Sequence, residues 1–177
     1  MNHVHRWAQE GLEFVQVREK ELATGELVKL VVAMRAALRE KAETKLLVNG
    51  RPDVAVVAGA DGVHLSLQEG ELTVEQVRQV FATAGAGTPV IGVSCHTIDE
   101  VKRAVADGVD LILFGPVFEK RVKDEAVGEG VGLDVLQEAC EAADGIPVLA
   151  LGGVSWGSAE LCIEAGASGV AGIRMFG

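Results

Sequence analysis

Gln16, Arg18, Glu19 and Lys20 follow in quick succession where an apolar run, Phe14-Val15, gives out. In an extended chain alternate side chains point to opposite sides, so Arg18 and Lys20 share one side and Glu19 takes the other. Two cations on one side suit an anionic substrate, and the plainer alternative is an ion-pair network. Asn49, His64, Ser94 and His96 each fall near the end of a further apolar run. Asn49 either meets a ligand or holds a turn through its own backbone bonds. His64, between Val63 and Leu65, reads equally as a core histidine or a ligand contact. His96 stands just before a helix cap and is a candidate acid or base, with loop packing as the alternative. The pair Gly152-Gly153 ends the apolar stretch Pro147–Leu151, where bare backbone N–H groups let a phosphate approach closely. Gly172 and Ile173 end the last run.

The elements that must position these residues alternate. Strands are expected at Glu13–Val17, Lys45–Val48, Gly62–Leu65, Pro89–Val93, Leu111–Phe114, Ile146–Ala150 and Gly169–Ile173. Helical patterns fill about 24–43, 51–58, 73–84, 97–106, 131–143 and 156–165, and a first helix lies near His3–Glu10. Thr73 with Gln76 and Thr97 with Glu100 have the spacing of capping boxes, and Thr24 is a weaker version. The charged stretch 119–125, with glycines at 128, 130 and 132, reads as a long loop, either a lid or a solvated excursion.

A helix-to-strand turn through glycine recurs at Gly11, Gly59, Gly108 and Gly166, with spacings of 48, 49 and 58 residues. A fixed period marks an architecture built from copies of one unit. Two βα units fit each period, which is the arithmetic of a (β/α)8 TIM barrel, an α/β fold with its active site at the C-terminal strand ends. The polar residues above collect at those ends. The glycines mark every second strand beginning with the barrel's second, so the expectation is a barrel lacking its first strand and its last helix. Such a chain is either part of a longer protein or closes its seam against a partner, a second copy included.

The 177 residues suit one domain, 1–177, although barrels usually need about 250. A net charge of -10 argues against nucleic acid and anionic membranes as partners. No apolar run approaches the roughly 18 residues of a membrane span. Three cysteines without metal-ligand spacing point to free thiols and a cytoplasmic location.

In order along the chain, VQVREK, LLVNGR, GADGVHL, IGVSCHT, LILFGPVF and IPVLALGGV resemble the superfamily of thiamine-phosphate synthases and TenI-like proteins, from about Phe14 to Ile173. In the synthases a hydroxymethylpyrimidine loses pyrophosphate and a thiazole phosphate captures the resulting cation. The resemblance assigns Gln16, Arg18, Glu19, Lys20, Asn49, Ser94 and the loop lysine Lys123 to that chemistry, and Gly152 and Gly153 to the thiazole phosphate. It places Gly50 where the family carries a metal-binding aspartate, and Glu69 at the second metal aspartate. Lys120 and Val122 replace the two threonines of the pyrophosphate loop. Asn49-Gly50-Arg51 and Phe114–Glu119 resemble the TenI-like branch more closely, where some members are thiazole tautomerases that move a proton without a metal. That branch's histidine is Pro116 here, which leaves His96 or Glu19 to move the proton.

The expected function is therefore TenI-like, acting on or binding a thiazole phosphate in thiamine biosynthesis. A divergent synthase and a non-catalytic phosphate-binding barrel are the alternatives. No cofactor is assigned, and Mg2+ enters only if synthase activity is retained. The partner is a small phosphorylated thiazole or pyrimidine.

Overall fold

The computed structural model describes residues 2–39, 43–122, 125–173 and 175–176, in two compact units, 1–91 and 92–177. Seven of its strands run parallel to a neighbour, and helices separate them along the chain.

The first unit contains α1 (Asn2–Gln9), β1 (Phe14–Val17), α2 (Thr24–Arg39), β2 (Lys45–Asn49), α3 (Pro52–Ala58), β3 (Gly62–Leu65) and α4 (Val74–Thr83). β1 pairs with β2, Phe14 opposite Lys45 and Val17 opposite Val48, and β2 pairs with β3, Asn49 opposite His64. Leu46, Leu47 and Val48 are all buried, as expected of a parallel strand covered on both faces. Val31 and Leu38 of α2, Val54 of α3, and Val77 and Phe81 of α4 complete this core. At the N-terminal strand ends Asp61 accepts from Arg35 and, at 2.8 Å, from the Leu46 N–H. That bond ties α2 and β2 to the start of β3, at the end of the sheet that serves stability.

β4 (Val90–Cys95) begins in the first unit, where the Val90 N–H donates to the Asp61 carbonyl at 2.9 Å, and continues into the second. There follow α5 (Ile98–Asp107), β5 (Leu111–Phe114), β6 (Lys120–Val122), β7 (Glu125–Gly128), α6 (Leu133–Ala142), β8 (Val148–Leu151), α7 (Trp156–Glu164) and β9 (Gly169–Ala171). Strands neighbour in the order β4-β5-β8-β9, all parallel, while β6 and β7 form a separate antiparallel pair. Val93, Cys95, Ile112, Phe114, Ala150, Leu136 and Cys162 are buried in this core.

The glycine repeat has a uniform physical basis. Gly11, Gly59, Gly108 and Gly166 all have positive φ, between 68° and 97°. In each copy the next residue's N–H reaches back five positions to a helical carbonyl: Leu12 to Trp7, Ala60 to Ala55, Val109 to Ala104 and Ala167 to Cys162, at 2.9–3.3 Å. This is the Schellman closure, which needs a left-handed residue in its middle.

All seven expected strands are present with ends shifted by up to two residues, and both capping boxes form at Thr73 and Thr97. Thr24 does not cap. It is the first residue of α2, and its hydroxyl accepts from Arg51 Nη2 at 3.1 Å. The stretch expected to be a loop carries the β6–β7 pair, whose short, charged segments hide a two-residue alternation. Ser155 and Ser158 form a further capping box ahead of α7.

Candidate functional site

At the strand ends of the first unit, Gln16 Nε2 donates to Asn49 Oδ1 at 2.8 Å, which joins β1 to β2 above their last ladder positions. Asn49 is also the register partner of His64, and the Gly50 N–H donates to the His64 carbonyl at 2.9 Å. Gly50 takes a positive φ of 60°, so the chain turns sharply into α3, whose first residue is Pro52. Arg51 closes the turn on Asp53 with two bonds, 2.8 and 2.7 Å, and is thereby committed to structure.

His64 is only 3% exposed. Burial holds its pKa down at about 4, with the Arg18 charge adding to that and the Glu71 charge opposing it. The imidazole is therefore neutral at physiological pH. Beyond β3, Glu71 is clamped: its Oε2 accepts from the Ser66 N–H at 2.8 Å and its Oε1 from the Ser66 hydroxyl at 2.7 Å. Glu71 Oε1 also lies 3.7 Å from the point where a Cβ on Gly50 would stand. Glu69 is exposed, so Glu71 is the carboxylate that approaches position 50. Sequence reasoning missed it because the path of the chain after a strand end is not legible from spacing. Arg18, Glu19 and Lys20 are exposed, and no ion pair engages them among the described residues.

Mg2+ takes six oxygen ligands and is usually held by one or two carboxylates plus substrate phosphates. Among the described residues no group of three or more His, Cys, Asp or Glu gathers to hold a metal ion. Among the described residues Glu71 is the carboxylate beside Gly50, and both of its oxygens accept from Ser66. With Glu71 alone at position 50, the described residues do not make an all-protein Mg2+ cage, and a Mg2+ carried in by a substrate's phosphates would draw on this carboxylate at most.

In the second unit, His96 leaves the end of β4, and its Nδ1 is bonded to the Gly115 carbonyl oxygen. A carbonyl can only accept, so Nδ1 carries the proton and Nε2 is the basic nitrogen. Glu100 accepts from the His96 and Thr97 N–H groups and fixes the main chain beneath the ring. Neighbouring Cys95 is buried, and burial together with Glu100 pushes its thiol up to about 12, so it is no nucleophile at neutral pH. Ser94 lies partly exposed beside it.

The segment after β5 runs between two glycine-lined walls. Val117 and Phe118 N–H groups donate to the Leu151 and Gly152 carbonyls, at 2.9 and 3.0 Å. On the other side Val131 and Gly132 N–H groups donate to the Pro116 and Val117 carbonyls, both at 2.9 Å. A Cβ on Gly152 would stand 2.6 Å from Pro116, and one on Gly153 2.7 Å from Phe118 and Glu119. The glycine pair is therefore required for packing, whatever else it binds. Gly152 and Gly153 lead into the start of α7, while Gly172 and the exposed Ile173 follow β9. Lys123 lies outside the described residues.

Residues 1–176 match the family model described as thiamine monophosphate synthase. The chain belongs to the thiamine monophosphate synthase family. A putative thiamine-phosphate synthase 2 of Aquifex aeolicus is 38% identical over 169 residues, 95% of this chain and 84% of the relative. A putative thiamine-phosphate synthase of Geobacter sulfurreducens is 43% identical over 161 residues, 91% of this chain and 71% of the relative. Among solved structures, a thiamine phosphate pyrophosphorylase from Pyrococcus furiosus superposes with a TM-score of 0.83 at 26% identity, covering 98% of this chain and 78% of that one. The parallel α/β architecture is thus that of the thiamine monophosphate synthase family. Among the described residues no helix is long and apolar enough to cross a membrane.

Proposed function

We propose that this chain is a thiamine-phosphate synthase, a transferase that joins a hydroxymethylpyrimidine pyrophosphate to a thiazole phosphate. The observation that carries the reading is the family match, in which relatives named for that activity cover nine-tenths of the chain or more.

In this reading the bond between the pyrimidine methylene and the pyrophosphate oxygen breaks, and the thiazole captures the methylene. The bonding electrons leave with pyrophosphate, so positive charge near that group lowers the barrier. Arg18 and Lys20, exposed past β1, are suited to supply it, with Lys123 as a further cation. The Gln16–Asn49 amide pair is positioned to bond the edge of a heterocycle, since each amide keeps a donor or acceptor to spare. Gly152 and Gly153, with Gly172 and Ile173, seat the thiazole phosphate next to the start of α7, and Ser94 hydrogen-bonds a substrate oxygen. His64 stays buried and neutral in β3. Glu69 has no assigned task, and no step is routed through a metal.

A specific observation favours a second reading, thiazole tautomerisation. The His96 tautomer leaves Nε2 able to take and return a proton, and Glu19 is the competing base.

One assay separates these. The protein is incubated with the pyrimidine pyrophosphate and thiazole phosphate, and thiamine phosphate is measured, with and without Mg2+. Product that falls more than tenfold in Lys20→Ala and Lys123→Ala supports the synthase. Aromatisation of a thiazole carboxylate phosphate without thiamine phosphate overturns it in favour of the tautomerase. Phosphate binding with neither turnover leaves a non-catalytic binding protein.

A further inference from the structure

Trp156 is the first residue of α7, three positions past Gly153, and is 68% exposed. Phe176, in the segment that follows β9, meets it nearly perpendicular, with ring centroids 5.3 Å apart and an 83° interplanar angle. The pair therefore joins the two segments, after β8 and after β9, that carry Gly152, Gly153, Gly172 and Ile173.

We propose that Trp156 and Phe176 form an aromatic wall that receives the planar ring of a phosphorylated heteroaromatic ligand. This rests on the reading that the adjoining glycines seat the ligand's phosphate.

An edge-to-face contact occupies one face of one ring only, so most of the indole surface remains in water. Leaving so much apolar area exposed forgoes burial that a ligand's ring would supply. Three residues span at most about 10 Å of main chain, so the α-carbons of Trp156 and Gly153 lie within the length of one small molecule. Stacking is indifferent to ring substituents, which makes this wall a selector for aromaticity, while the glycine loop selects for phosphate.

The chain has two tryptophans, so Trp7→Phe leaves Trp156 as the single reporter. Titrating that protein with thiazole phosphate should quench its fluorescence, and inorganic phosphate should not. By calorimetry Trp156→Leu should weaken thiazole phosphate about tenfold while leaving inorganic phosphate unchanged, and Trp156→Phe should recover most of the loss. If Trp156→Leu binds thiazole phosphate as tightly as the parent, the aromatic wall is refuted and the phosphate site stands. If the parent binds neither probe, the phosphate reading falls and the wall with it.

Discussion

His96 Nδ1 is bonded to the carbonyl oxygen of Gly115, so a residue at the end of β4 takes its protonation pattern from the end of β5. The proton is held on the ring nitrogen that faces the protein, and the other nitrogen is left basic. Glu100 holds the main chain and the Gly115 carbonyl holds the ring, so both ends of the residue are fixed. A histidine so constrained holds its second ring nitrogen in a fixed place, which the proposed tautomerase reading would use for proton transfer and a structural role would not.

Nitrogen-15 NMR of histidine-labelled protein at pH 8 should show His96 as the Nδ1–H tautomer. His96→Gln should remove that signal and lower any thiazole tautomerisation by about a hundredfold. Coupling of the two synthase substrates should change far less. An Nε2–H tautomer would refute the assignment.

His64 makes stability depend on pH. Its pKa is about 4 when folded against 6.5 for an ordinary histidine, so the unfolded chain binds the proton first. Stability is therefore undiminished above about pH 6.5, declines as pH falls toward 4, and loses no more below that. The full loss is about 3 kcal/mol. Urea unfolding of wild type and His64→Gln across pH 4–7.5 should show the wild-type curve falling more steeply by about that amount. Parallel curves would show that His64 is not buried neutral.

Much of this architecture is legible in the residues because local chemistry dictates it. The glycines at 11, 59, 108 and 166 announce left-handed helix closures, and Thr73 and Thr97 announce helix starts. What escapes is whatever depends on distant backbone. Gly62 is read as an unremarkable strand residue, yet a Cβ there would stand 1.8 Å from the Val90 carbonyl oxygen. Gly152 and Gly153 are read as ligand contacts, while their tightest constraint is Pro116–Glu119 packed against them. Glu71 is invisible as a partner of Ser66 because the conformation of the four residues between them is not set by their types alone.

That contrast predicts an ordering among glycine variants. Gly145 has a φ of +86° with open space around it, so Gly145→Ala should cost only the left-handed penalty, about 1–2 kcal/mol. Gly153→Ala adds a clash with Phe118 and Glu119 and should cost more, and Gly62→Ala should cost more than about 3 kcal/mol. Denaturant midpoints check the order. Gly153→Ala as mild as Gly145→Ala would mean that the segment after β5 yields readily, and the glycine pair's main constraint would then be the ligand.

The Ser66–Glu71 clamp can be measured as a coupling. The charge-assisted bond from the Ser66 hydroxyl to a partly buried carboxylate should give a double-mutant interaction of about 1–2 kcal/mol between Ser66→Ala and Glu71→Gln. Since the backbone N–H of Ser66 remains in Ser66→Ala, the coupling reports the hydroxyl bond alone. Glu71→Gln also removes the negative charge that favours protonated His64, so the His64 pKa should drop further, below about 4. NMR titration of His64 reads this directly. Additive stability effects with an unmoved His64 would mean that the carboxylate turns toward solvent, and position 50 would then have no acidic neighbour.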